Sequence, residues 1–106
     1  MINKQVTVII DRPIGSKHPE YHFTYPVNYG FIPDIFALDG EEQDAYVLGI
    51  DHPIERFTGI VIAIIKRKND NEDKWVVSPK GMPFSKQEIK EAVHFQEQYF
   101  DIEIEI

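Results

Sequence analysis

Asp39, Glu41 and Asp44 form a D-x-E-x-x-D arrangement inside the segment DGEEQD. In extended backbone, residues two apart share one side, and the third acid can return after a turn, so the three carboxylates can converge on one point. Such convergence is costly between bare like charges and favourable around a shared cation, and oxygen-only ligands suit a hard divalent ion such as Mg2+. An EF-hand does not fit, because twelve positions counted from Asp39 end on Ile50, where a bidentate Glu is required. Neither a P-loop nor a G-x-G-x-x-G is present. From spacing alone, a solvated acidic turn explains the same residues equally well. His18 and His22 lie four apart, but Pro19 stands between them and forbids the helix that would pair them, so no histidine metal site is expected. Lys17, in the loop IGSKHPE, is either part of a plain turn or a lysine brought to a phosphate.

Strands must do most of the positioning. Gln5 to Ile10 alternates apolar residues and reads as a first strand ending at Asp11-Arg12-Pro13. Tyr25 to Pro33 shows no usable period and carries two prolines, which predicts ordered irregular structure. Asp39-Gly40 has turn chemistry, and Ala45 to Ile50 reads as the strand that leaves it. Phe57 to Lys66 is the strongest strand and is expected to be central. Arg67 to Asp73 is a polar connection to a returning strand, Lys74 to Val77. Ser85 opens the one good helix, with Glu88 completing a capping box and Ile89, Ala92, Val93, Gln96 and Tyr99 along one face. Asp101 to Ile106 alternates strictly and reads as a last, half-buried strand.

These elements predict a mainly β (α+β) architecture, a small barrel or curled sheet with the C-terminal helix packed on it, formed as one domain over residues 1–106. Hydrophobic residues at 42% and charged residues at 27% place the chain with globular proteins. A net charge of −7 argues against nucleic-acid or anionic-membrane partners, and the longest apolar run, IVIAII, is too short for a bilayer. The absence of cysteine is compatible with a reducing compartment, and no targeting segment is read, so a cytoplasmic protein is expected.

Several segments together carry a resemblance. YPVNYGFIP at Tyr25 to Pro33, followed by DGEEQD at Asp39 to Asp44, resembles the family I soluble inorganic pyrophosphatases, whose pattern is Y-P-x-N-Y-G-[FY]-I-[PN] and then D-G-D-P-x-D. IIDRP at Ile9 to Pro13 is similar to the family's I-E-I-P, and Lys17 with Glu20 to its K-Y-E. Asp70, Asp73 and Lys74 resemble its D-x-x-x-x-D-x-K loop with shortened spacing, and HFQEQY at His94 to Tyr99 its H-F-F-E-x-Y. The resemblance implies an OB-like five-stranded closed β-barrel and Mg2+-dependent hydrolysis of pyrophosphate, or of another small phosphoanhydride, with Mn2+ as an alternative ion. It assigns Asp39, Asp44 and Asp73 as metal ligands, with Asp70 as a further one. Asp44 also counts as catalytic with Glu41, the acid associated with the attacking water, and Lys17, Tyr29, Lys74 and Tyr99 fall where phosphate-binding groups are expected. Relatives commonly form homo-oligomers.

Several positions depart from the family pattern. Glu41 replaces an aspartate, Glu42 a proline, and Phe100 the lysine that follows Tyr99. The segment between Glu20 and Tyr25 is too short for the family's strand bearing a phosphate-binding arginine, which leaves Arg12 and Arg56 as substitutes. Two expectations follow: a hydrolase of reduced activity, or a non-catalytic relative that binds a divalent ion, a phosphate metabolite or a protein partner.

Overall fold

A computed structural model describes residues 1–69 and 72–106. Its elements follow in the order β1 (Gln5–Arg12), β2 (Asn28–Phe36), β3 (Glu42–Val47), β4 (Arg56–Arg67), β5 (Asp73–Ser78), α1 (Lys86–Glu97) and β6 (Ile102–Glu105). Strands β1, β2, β3, β5 and β4 are hydrogen-bonded in that order, and β4 pairs back onto β1, so the five close into a barrel. The β3 and β5 pair is parallel; the other neighbours are antiparallel. As its apolar run predicts, β4 is the central strand. It pairs with β1 through Arg56 to Ile60, with β5 through Ile60 to Lys66, and with β6 through Ile64 to Arg67.

The strand alternation sorts side chains into two cores. Val6, Val8, Ile32, Ala45, Val47, Val61, Trp75 and Val77 come from all five barrel strands and fill the interior. Tyr46, Ile65 and Val76 face the other way and pack with Ile89 and Val93 of α1 and Ile104 of β6. The helix starts where the sequence predicts: the Glu88 amide donates to Ser85 Oγ at 3.1 Å, and the Ser85 amide donates to the Glu88 carboxylate at 2.8 Å.

Irregular structure expected from Tyr25 to Pro33 is corrected from Asn28 onward, where the chain forms β2. Proline is tolerated there because the β2–β3 register shifts between Ile32 and Phe36, so Pro33 falls where its missing N–H forfeits no ladder bond. Gly30 in the same strand has a steric reason: a Cβ at that position would lie 1.8 Å from the Ile9 carbonyl oxygen.

Candidate active site

A cavity of about 370 Å³ lies where the outward faces of the barrel strands meet the end of α1. The parity that points Tyr46, Ile65 and Val76 toward the helix also points Asp44, Arg67 and Lys74 outward, two residues along each strand. Tyr29 comes from β2, opposite Tyr46. Asp11 and Arg12 enter from the end of β1, and Glu72 from just before β5. The loop after β1 contributes His18, Tyr21, Phe23 and Tyr25, while Gln96, Tyr99 and Phe100 close the helix side.

Lys74 sits at the floor with its side chain only 4% exposed. Its Nζ donates to Asp44 Oδ2 at 2.6 Å and to Glu72 Oε1 at 3.3 Å, and stands 5.7 Å from the centre of the Tyr29 ring. Two carboxylates thus reach a single cation. Behind them, Glu97 takes Arg67 in a fork, with Nε to Oε1 at 2.9 Å and Nη2 to Oε2 at 2.8 Å. Arg67 Nη1 donates to Glu72 Oε2 at 3.0 Å, and the guanidinium lies 3.7 Å above the Phe100 ring. The network continues inward: Tyr46 donates to Glu97 at 2.6 Å, Gln96 Nε2 to Tyr46 Oη at 2.7 Å, and Tyr25 to Gln96 Oε1 at 3.0 Å. Fork geometry and full pairing are what make buried charge tolerable.

The same surroundings shift proton affinities. Burial, then the charge of Asp44, holds the Tyr29 hydroxyl well above its usual range, so it remains a hydrogen-bond donor at physiological pH. Partial burial raises Asp11; Arg12 opposes that shift, and Asp44 adds to it.

Of the site residues that the resemblance assigns, Asp44, Tyr29, Lys74 and Tyr99 line this one cavity. Asp39 and Glu41 lie in the exposed turn before β3, where the Glu41 amide donates to Asp39 Oδ1 at 3.0 Å, and neither lines it. Lys17 is exposed, bridged to Thr24, and also off the lining, as is Asp73. Asp70 lies outside the described residues. His18 serves the loop itself, since its Nδ1 accepts from the amides of Glu20 at 3.0 Å and Tyr21 at 3.2 Å and so closes the turn.

Sequence reasoning passed over Asp11, Glu72 and Arg67. Glu72 had a signal, since it stands two residues before Lys74, which is the family's D-x-K interval without shortening. The same full spacing reaches Arg67 at the place of the loop's first acid. Asp44, Glu72 and Asp11 offer only oxygen donors, the chemistry a hard divalent ion takes. Because Asp44 and Glu72 both reach the Lys74 ammonium, they can also share an ion placed beside it. The donor chemistry therefore suits such an ion, while among the described residues no three acids or histidines are grouped as a ligand cluster.

A closed, mixed five-stranded barrel carrying a pocket of acids, cations and phenols on its helix-facing side is the class of protein that fold and cavity define. The inorganic pyrophosphatase family profile matches residues 4–103, and the chain belongs to that family. It is 31% identical over 137 aligned residues to the inorganic pyrophosphatase of Methanosarcina acetivorans, covering 97% of this chain and 80% of that one. To the Rickettsia prowazekii inorganic pyrophosphatase it is 27% identical, with 95% of this chain and 78% of that one covered. In fold it is similar to the crystal structure of inorganic pyrophosphatase from Ehrlichia chaffeensis, with a TM-score of 0.75 at 20% identity over 99% of this chain and 87% of that one.

Proposed function

We propose that this protein hydrolyses inorganic pyrophosphate to two phosphates with the help of a divalent ion, Mg2+ in the first place. The observation that carries the reading is the convergence of Tyr29, Asp44, Lys74 and Tyr99, drawn from separate motifs, on one cavity that also holds Asp11, Arg12 and Glu72. Asp44 and Glu72, with Asp11 beside them, are the residues to hold the ion, and Asp39 and Glu41 join them if the acidic turn is drawn inward. When bound, the ion neutralises phosphate oxygens and makes water a better nucleophile at neutral pH.

The chain's own groups account for the rest. Lys74 supplies positive charge at the floor of the cavity, and Tyr29 donates a hydrogen bond without ionising. In the balanced reaction, the water oxygen bonds to one phosphorus as the bridging P–O bond breaks. One phosphate leaves on each side, and the water proton passes to a carboxylate of the site. Relatives named inorganic pyrophosphatase, covered over most of their length, support this substrate.

The test is phosphate release from pyrophosphate, tripolyphosphate and a nucleoside triphosphate, with Mg2+, with Mn2+ and with EDTA. Pyrophosphate turnover that stops with EDTA and falls about a hundredfold or more in Asp44→Asn is expected. No release from any of the three by wild type would refute the hydrolase.

A further inference from the structure

We propose that Arg12 is the phosphate-binding arginine of this chain, and that a bulge in β1 delivers it; the inference rests on the pyrophosphate reading above. Val6 and Val8 of β1 are buried in the barrel interior, and Ile10 packs against that cluster. Strict alternation would aim Arg12 inward as well, where a guanidinium could not be tolerated. The register prevents it. Ile10 stands opposite Gly30 and Arg12 opposite Tyr29, so β1 advances two residues while β2 advances one. The extra residue reverses the parity at the end of the strand, and both Asp11 and Arg12 line the cavity.

Its companions are already engaged. Lys74 is held by Asp44 and Glu72, and Arg67 by Glu97 and Glu72. Arg12 makes no ion pair with any described residue, and its Nη1 donates to the adjacent Asp11 carbonyl at 3.1 Å. Among the cavity's Lys and Arg residues it alone forms no ion pair with a described carboxylate, so its charge is open to an incoming anion, and a guanidinium matches two phosphate oxygens at once. Its charge also reaches the Tyr25 hydroxyl, where it is the largest influence opposing the rise caused by burial. Arg56, the other arginine that could take this part, is exposed at the start of β4 and does not line the cavity.

Calorimetric titration with imidodiphosphate, a pyrophosphate analogue with a P–N–P bridge, in the presence of Mg2+ tests this on wild type, Arg12→Ala, Arg12→Lys, Arg12→Gln and Arg56→Ala. Arg12→Ala should weaken binding by about 10- to 100-fold, the range for losing a charge-assisted pair. Arg12→Lys should recover part of it and Arg12→Gln little, while Arg56→Ala should match wild type. Melting curves in Mg2+ without phosphate should coincide for wild type and Arg12→Ala; if alanine unfolds the chain, the Lys and Gln variants decide. Unchanged affinity in Arg12→Ala, or an equal loss in Arg56→Ala, overturns the assignment. A wild type that binds the analogue without hydrolysing pyrophosphate overturns the hydrolase and leaves Arg12 to be judged on affinity; one that binds neither overturns both.

Discussion

At the scale of single residues, setting a carboxyl against the cavity wall has a cost visible in Asp11. Its pKa is raised above 3.8, with burial as the chief cause. A raised acid contributes stability below its unfolded value and loses it as pH rises through the folded one, so ionised Asp11 weakens the fold at neutral pH. Asp11→Asn should therefore melt higher than wild type at pH 7 in the absence of divalent ions, with the difference closing as pH falls toward 3.8. A difference that grows in acid would mean Asp11 is held by a favourable partner instead. Glu41 poses the opposite question, because its turn lies off the cavity although the family pattern gives it the attacking water. If the turn closes on a bound ion, Glu41→Gln should cost about a hundredfold in pyrophosphate turnover. Wild-type rates in that variant would move the proton-accepting role to Asp44 or Asp11.

At the scale of elements, the ion pair between β4 and the end of α1 matters most. Arg67 and Glu97 have side chains only 4% and 1% exposed, and Tyr46 adds its hydrogen bond to the same carboxylate. Removing Glu97 leaves Arg67 only the part-exposed Glu72, so Glu97→Gln should lose about 3 kcal/mol in urea unfolding, the low end for breaking a buried pair. Arg67→Met combined with Glu97→Met should recover much of that loss, since neither charge is then buried alone. A cost under about 1 kcal/mol for Glu97→Gln would place the pair in a far wetter setting than its exposure implies. None of this was legible in the sequence, where Arg67 read as part of a polar connection and Glu97 as one letter of a motif. Alternation found β1 and β6, an unbroken apolar run found β4, the return from a polar connection found β5, and a capped helical face found α1. The strand β2 was missed because Pro33 looks like a breaker until the register shift around it is known. Arg12 stayed undecided against Arg56 for the same reason: a bulge breaks parity, and parity is all that a single sequence offers.

At the scale of the whole molecule, the cavity draws residues from Asp11 to Phe100, so it exists only when the barrel is closed and α1 is docked. A ligand of this site must then stabilise the entire fold by mass action, by about 2.7 kcal/mol when present at a hundred times its dissociation constant. A chain of net charge −7 adds a competing effect, because any salt relieves self-repulsion and raises the melting temperature without binding anywhere. MgCl2 and NaCl at equal ionic strength separate the two effects. The general screening term is broadly shared between them, whereas occupancy beside Asp44 and Glu72 is available to the divalent ion. Mg2+ should raise the wild-type melting temperature by several degrees more than Na+, and that excess should disappear in Asp44→Asn even if the variant's own baseline shifts on losing the partner of Lys74. Equal shifts by the two salts in wild type would remove the divalent ion from the cavity, and with it the proposed route to hydrolysis.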